Sequence, residues 1–169
     1  VDGRELTQSF AVEADPRIAT SRADLQRQFD FLLEVLNALT TTNELLNEIH
    51  ALEEQLRPWE GRAGSESLQD QLSGMRSELD SISGLLIDLN ISQSQLWPSG
   101  LHEKLNALFN SVDSADYAPP RQAREVFAKL RSELDHLEGR YEGVLGDQLR
   151  AFNRAVEDAG LPSVGTPGS

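Results

Sequence analysis

Residues 119–162 read PPRQAREVFAKLRSELDHLEGRYEGVLGDQLRAFNRAVEDAGLP, and this stretch decides the fold. Apolar and small residues recur in steps of four and three: Ala123, Phe127, Leu130, Leu134, Leu137, Tyr141, Val144, then Gln148, Ala151 and Ala155. That spacing keeps one stripe on one side of an α-helix, and Val126, Leu145, Phe152 and Val156 widen it towards a second partner. The paired prolines suit a first helical turn, whose amides have no intrahelical acceptor. Gly160 suits a left-handed C-terminal cap, and Pro162 bars a restart. The spacing predicts a helix on the order of 60 Å long at about 1.5 Å per residue, so it must lie against other long helices.

Upstream, the same periodicity predicts a first long helix from near Ser21 to about Leu56. Thr20 or Ser21 can cap it, and Asp24, three after Ser21, gives a capping-box-like spacing with Asp in place of Glu. Its expected stripe is Leu25, Phe29, Leu32, Leu36, Leu39, Asn43 and Leu46, followed by a shift to Ile49, Leu52 and Leu56. Thr40, Thr41, Thr42 and Asn43 form a patch of weak helix propensity where a kink is allowed. A second long helix starts near Ser65, with Leu68, Leu72, Met75, Leu79, Ile82, Leu86 and Leu89 inward. Gly74 and Gly84 weaken that helix unless they permit close helix approach. Residues 90–100, NISQSQLWPSG, break the pattern, and Leu96 and Trp97 are expected to tuck onto the bundle. A short helix then spans about Leu101 to Val112, with Leu101, Leu105, Leu108, Phe109 and Val112 inward.

The reading is therefore all-α: an antiparallel bundle of three long helices and one short helix, preceded by a short β-strand segment. An intermolecular coiled coil is the competing closure, and leftover apolar flanks leave room for a homodimer. Residues 1–14, VDGRELTQSFAVEA, carry an Asp-Gly turn and two-residue alternation through Leu6, Gln8, Phe10 and Val12, as in the last strand of a sheet. The division is 1–16, strand and linker; 17–162, helical bundle; 163–169, flexible tail. Packing or interface candidates are Phe29, Leu36, Leu79, Leu86, Phe127, Leu134, Tyr141 and Phe152.

Chemistry has little purchase on this sequence. Fifteen Lys and Arg stand against 28 Asp and Glu, a net charge of −13, which disfavours nucleic acid or an anionic membrane as partner. There is no cysteine, hence no thiol chemistry or disulfide. No apolar run approaches the roughly 20 residues of a membrane span. His50, His102 and His136 fall on different helices without the HExxH spacing. Glu133 and His136 form one ExxH off the core line, where a di-iron bundle needs two. P-loop and GxSxG motifs are absent. Asn43 and Gln148, polar on core stripes, read as register-fixing residues. Asn90-Ile91-Ser92 matches a glycosylation sequon, and Trp59 and Trp97 are expected to plug bundle ends. The chain is expected to be non-catalytic, with no cofactor and no metal.

Several strings carry a resemblance: SFAVEADPRI at 9–18, ADLQRQFDFLLEV at 23–35, LHEKLNALFNSVDSADYAPPRQAREVFAKLRSELD at 101–135, and AFNRAVEDAGLP at 151–162. Together they resemble the C-terminal region of bacterial exported sortilin-like, BNR-repeat proteins labelled glycosyl hydrolases. The resemblance covers most of the chain and is weakest over 57–95. It implies β-propeller repeats, then an immunoglobulin-like sandwich whose last strand is 1–14, then this helical segment. The Asp-box repeats of the propeller are absent from this chain, so no family catalytic residue carries over. The resemblance thus implies an accessory module packed against propeller and immunoglobulin-like neighbours in an exported protein. The alternative is an acidic coiled-coil adaptor for a partner helix, and hydrolase activity in this fragment ranks last.

Overall fold

The computed structural model describes residues 7–11, 17, 19–61, 65–88 and 100–165. The protein is all-α, with no strand among the described residues. Residues 7–11, the described part of the expected strand, are irregular and exposed, with Phe10 at 84%. A strand needs a paired neighbour to satisfy its backbone. The rest of that segment, 1–6 and 12–14, lies outside the described residues, as do 89–99 with Leu96, Trp97 and the Asn90 sequon.

Helix α1 spans Arg22–Leu56 and continues into a 3-10 turn, Arg57–Trp59. Helix α2 is Glu66–Leu86 and α3 is Leu101–Asp113. Helix α4, Arg121–Gly143, passes without interruption through a π-helical segment, Val144–Leu149, into α5, Arg150–Asp158. The ends form as the local chemistry requires. Ser21 Oγ accepts from the Asp24 amide at 3.1 Å, and Ser65 Oγ accepts from the Leu68 amide at 3.3 Å. Gly160 sits at φ +74° while the Leu161 amide donates back to Val156 O at 2.9 Å, the long bond of a left-handed helix stop.

Contacts between the rods define their directions. Phe31 meets Phe127 edge to face at 5.5 Å, and Trp59 meets Phe152 the same way at 5.5 Å. Residue numbers climb together along both rods, so α1 and the α4–α5 rod run the same way. Helices α2 and α3 run opposite to both, end to end. Arg140 on α4 reaches Glu78 and Ser81 on α2, while Lys104 on α3 reaches Glu133. Each of the two full-length rods is thus covered by α2 over one part and α3 over the other. The Trp59 ring closes the far end, as a plug beside proline should.

The junction between α2 and α3 is tight at Gly100, which is buried. A Cβ there would stand 2.7 Å from the Asp88 amide nitrogen and 2.9 Å from Ile87 Cα, inside contact distance. Gly74 and Gly84 do not serve close approach: a Cβ at either meets nothing within 4 Å. The close approach lies at the joint between helices, where two chain ends must pass.

Two expected stripes need correction. In α1 the buried residues are Gln28, Phe31, Val35, Ala38, Thr42, Leu45, Ile49, Leu52 and Leu56. Phe29 and Leu36 are exposed at 57% and 46%, and Asn43 is exposed. The observed stripe keeps steps of three and four over the whole helix, so it needs no shift at Ile49 and stays on the seam throughout. In the C-terminal rod, Gln148 is exposed and Leu149, Phe152 and Val156 are buried. The π turn adds one residue between Val144 and Leu149, which rotates everything after it by roughly 100°. The α1 helix also does not break at its threonines. Thr40 and Thr42 donate to Leu36 O at 3.1 Å and Ala38 O at 2.8 Å, satisfying their hydroxyls within the helix. The expected flexible tail is docked where it is described: Val164 is buried, and its amide and carbonyl both pair with the Asn153 carboxamide at 2.8 Å. Residues 166–169 lie outside the described residues.

Candidate functional site

The eight residues proposed for packing or interface separate into two groups. Leu79, Leu86, Leu134, Tyr141 and Phe152 belong to the core, and Phe127 is half-buried against Phe31. Phe29 and Leu36 stand outside it, and the equally exposed Leu33 lies between them. Spacings of four and three put these three on one outer face of the first half of α1. Leucine in a helix exposes apolar surface on this scale only singly as a rule, so a contiguous row is notable. The expected stripe placed Phe29 and Leu36 in the core, with Leu32 between them; Leu33 was not part of it. The row's outward position was legible only from the neighbouring unbroken stripe that starts at Gln28.

Gln28 is the functional surprise of that stripe. Its carboxamide Nε2 donates to Val112 O at 2.8 Å and Ala115 O at 2.6 Å, satisfying carbonyls at the C-terminal end of α3. Thr20 Oγ1 donates to Asp116 O close by. The start of α1 therefore holds the end of α3 through polar contacts, and Arg124 stacks over Phe31 at 5.1 Å from the ring centre one layer up.

The charged groups divide between clamps and unpaired surface. The Arg140 hydrogen bond holds the Glu78 carboxyl below its usual range, and Glu78 in turn raises Arg140. Burial pushes the Glu53 carboxyl up, and the Asp80 carboxylate facing it from α2 pushes it further; Arg76 and His50 pull it back. Arg76 itself pairs with Glu60. His50 and His136 are exposed, and His102 lies 3.6 Å from Glu103. Among the described residues no three His, Asp or Glu side chains are placed to hold a metal ion, and no helix is long and apolar enough to cross a membrane.

Among the described residues two buried side-chain oxygens have no hydrogen-bond partner, Gln71 Oε1 and the Tyr141 hydroxyl. The Tyr141 hydroxyl is buried and makes no hydrogen bond, in a residue only 3% exposed. Tyr141 lines the groove between α1 and α4 together with Glu44, Glu48, Glu138 and Glu142. The periodicity marked Tyr141 as core but carried no sign of this acidic surround, because the two helices that supply it are about 95 residues apart in sequence. No family model, no curated protein and no solved structure matches the chain.

Proposed function

We propose that the chain is a non-catalytic helical accessory module of a larger exported protein, packing against propeller and immunoglobulin-like neighbours. The single observation that carries this reading is the exposed row Phe29, Leu33 and Leu36 on the first half of α1. An apolar row beside a well-filled core is what a docking face presents. The chain enters α1 just before it. A sandwich ending near residue 14 is tethered to Ser21 by about seven residues, a reach of roughly 23 Å when extended. Phe29 lies about 12 Å along the helix from Ser21, within that reach. Phe10, exposed on the incoming segment, adds apolar surface on the neighbour's side.

The test is hydrogen exchange over 22–40 in the isolated chain and in the chain extended upstream of Val1. The extended chain is expected to slow exchange across Phe29–Leu36, and the pair Phe29→Glu with Leu36→Glu is expected to restore it. Equal exchange in the two chains defeats the docking reading. If the isolated chain is instead a dimer by light scattering and the same pair dissociates it, the row serves a second copy.

A further inference from the structure

The chain does not leave the bundle where its last helix ends. Gly160, at φ +74°, terminates α5, and residues 161–165 turn back as a strap. Two contacts fix its course. Val164 pairs with Asn153, which lies in the middle of α5, and a Cβ on Gly165 would stand 3.2 Å from Gln55 Oε1 on α1. The strap therefore runs back between α5 and α1, at the end of the bundle that Trp59 and Phe152 close.

The seat reads main chain. Asn153 Nδ2 donates to Val164 O at 2.8 Å, and Asn153 Oδ1 accepts from the Val164 amide at 2.8 Å. The N–H and C=O of one residue point the same way only when its backbone is extended, and a carboxamide meets them as a residue on a strand edge does. That pairing is blind to the side chain, so selection falls elsewhere. Val164 is only 6% exposed, whereas Leu161 stands out at 37% and Pro162 and Ser163 are exposed. The tight approach of Gly165 to Gln55 favours glycine at the next position. The seat thus takes a branched aliphatic residue followed by glycine. One buried side chain and two hydrogen bonds hold the whole strap, and the entropy lost in ordering its residues is of the same order as that gain. Such a strap opens far more readily than the helices beneath it.

We propose that the seat at Asn153 and Gln55 is a docking slot for an extended peptide segment of another protein, one carrying a branched aliphatic residue followed by glycine. The strap 161–165 fills the slot until such a segment arrives. The mode is strand addition reduced to one residue: main-chain bonds supply affinity, and the pocket for the side chain supplies choice. The strap is tethered to α5, so it competes at an effective concentration on the order of millimolar. Unseating it therefore raises the apparent affinity for the incoming segment. The slot lies at the opposite end of the bundle from Phe29, Leu33 and Leu36, and it does not rest on the docking of a neighbour there.

The test is a two-dimensional NMR titration of the folded chain with the end-blocked peptide Leu-Pro-Ser-Val-Gly-Thr, the sequence of 161–166, followed at the side-chain amides of Asn153 and Gln55. Val164→Asp, which unseats the strap within the full chain, is expected to bind the peptide saturably and at least tenfold more tightly than the unaltered chain. Replacing the peptide's valine by aspartate, or adding Asn153→Ala to Val164→Asp, is expected to abolish saturation. Adding Asn47→Ala instead, at an exposed position on α1, is expected to leave binding unchanged. Circular dichroism of each variant reports that the fold persists. The proposal is overturned if Val164→Asp does not saturate, if the aspartate peptide binds equally, if Asn153→Ala retains binding, or if the unaltered chain binds as tightly as Val164→Asp. Phe29→Glu with Leu36→Glu leaves the titration unchanged, so failure of the docking face and failure of the peptide slot are separable.

Discussion

The long C-terminal rod has two parts that obey one pattern differently. Up to the first residue of the π segment, Leu130, Leu134, Leu137, Tyr141 and Val144 enter the core at steps of four and three. Beyond it the pattern reads on through Gln148, Ala151 and Ala155, yet the core takes Leu149, Phe152 and Val156. The difference is one residue of backbone. Burying a Leu, a Phe and a Val in place of a Gln and two Ala yields about 1.5–3 kcal/mol for each large side chain, which outweighs the poorer bonding of a π turn. Gly146, a weak helix former, sits within that turn. Periodicity within a helix is thus conditional on α-helical geometry, and packing can revise the geometry when richer apolar residues lie one position away.

Truncations on either side of the new register separate the two parts most strongly. Phe152→Ala should cost about 3–5 kcal/mol by denaturant unfolding, because it empties a filled site against Trp59. Gln148→Ala should change stability by less than about 0.5 kcal/mol. Equal losses would restore the uninterrupted α-helical register. The same contrast holds in α1. Leu45→Ala should cost about 2–5 kcal/mol, whereas Leu36→Ala should fall within about 1 kcal/mol in the isolated chain.

Removing the extra residue probes the π turn directly. Deletion of Gly146 brings Val144 and Leu149 to a four-residue step and leaves Leu149, Phe152 and Val156 facing inward. The chain should fold with its stability changed by about 1 kcal/mol or less, where a deletion inside an ordinary helix disrupts the core. Loss of cooperative melting in that variant would show that the π turn is required for more than register.

The mildest change is anticipated at Tyr141, the last aromatic of the legible stripe. Burial, with the Glu48 charge behind it, pushes its hydroxyl up from 10.0 to about 12. The unfolded chain therefore releases this proton before the folded one does. Stability from this group is whole below about pH 10 and is lost as pH rises towards 12. Tyr141→Phe should flatten that alkaline loss in pH-dependent melting, and an unchanged slope would place the hydroxyl in water.

Several features were readable from residues alone because they depend on neighbours in sequence. The caps at Ser21 and Ser65, the stop at Gly160 and the stripe of α2 through Leu68, Leu72, Met75, Leu79, Ile82 and Leu86 all arise within one or two turns. In α1 the sequence holds two candidate stripes, one rich in Leu and Phe and one containing Gln28, Ala38 and Thr42. Counting apolar residues favoured the first. Continuity favoured the second, since steps of three and four run unbroken from Gln28 to Leu56. The shift required at Ile49 was the available signal, and a supercoiled seam does not tolerate such a shift without unwinding.

The docking face divides in the same way, and so does the acidic groove. That α1 carries surplus apolar residues is a property of the chain; that Phe29, Leu33 and Leu36 are the surplus is a property of the bundle. That Glu44 and Glu48 lie one turn apart is likewise local, whereas their lining one groove with Glu138, Glu142 and Tyr141 requires two rods to meet in parallel. Helical class, helix ends and the presence of amphipathic stripes were all set within the sequence, because i to i+4 chemistry is local. Assembly of the bundle then selected which stripe is buried, where one residue is looped out as a π turn and which carboxylates share a groove. Those outcomes depend on total burial summed over several helices, a quantity no single segment contains.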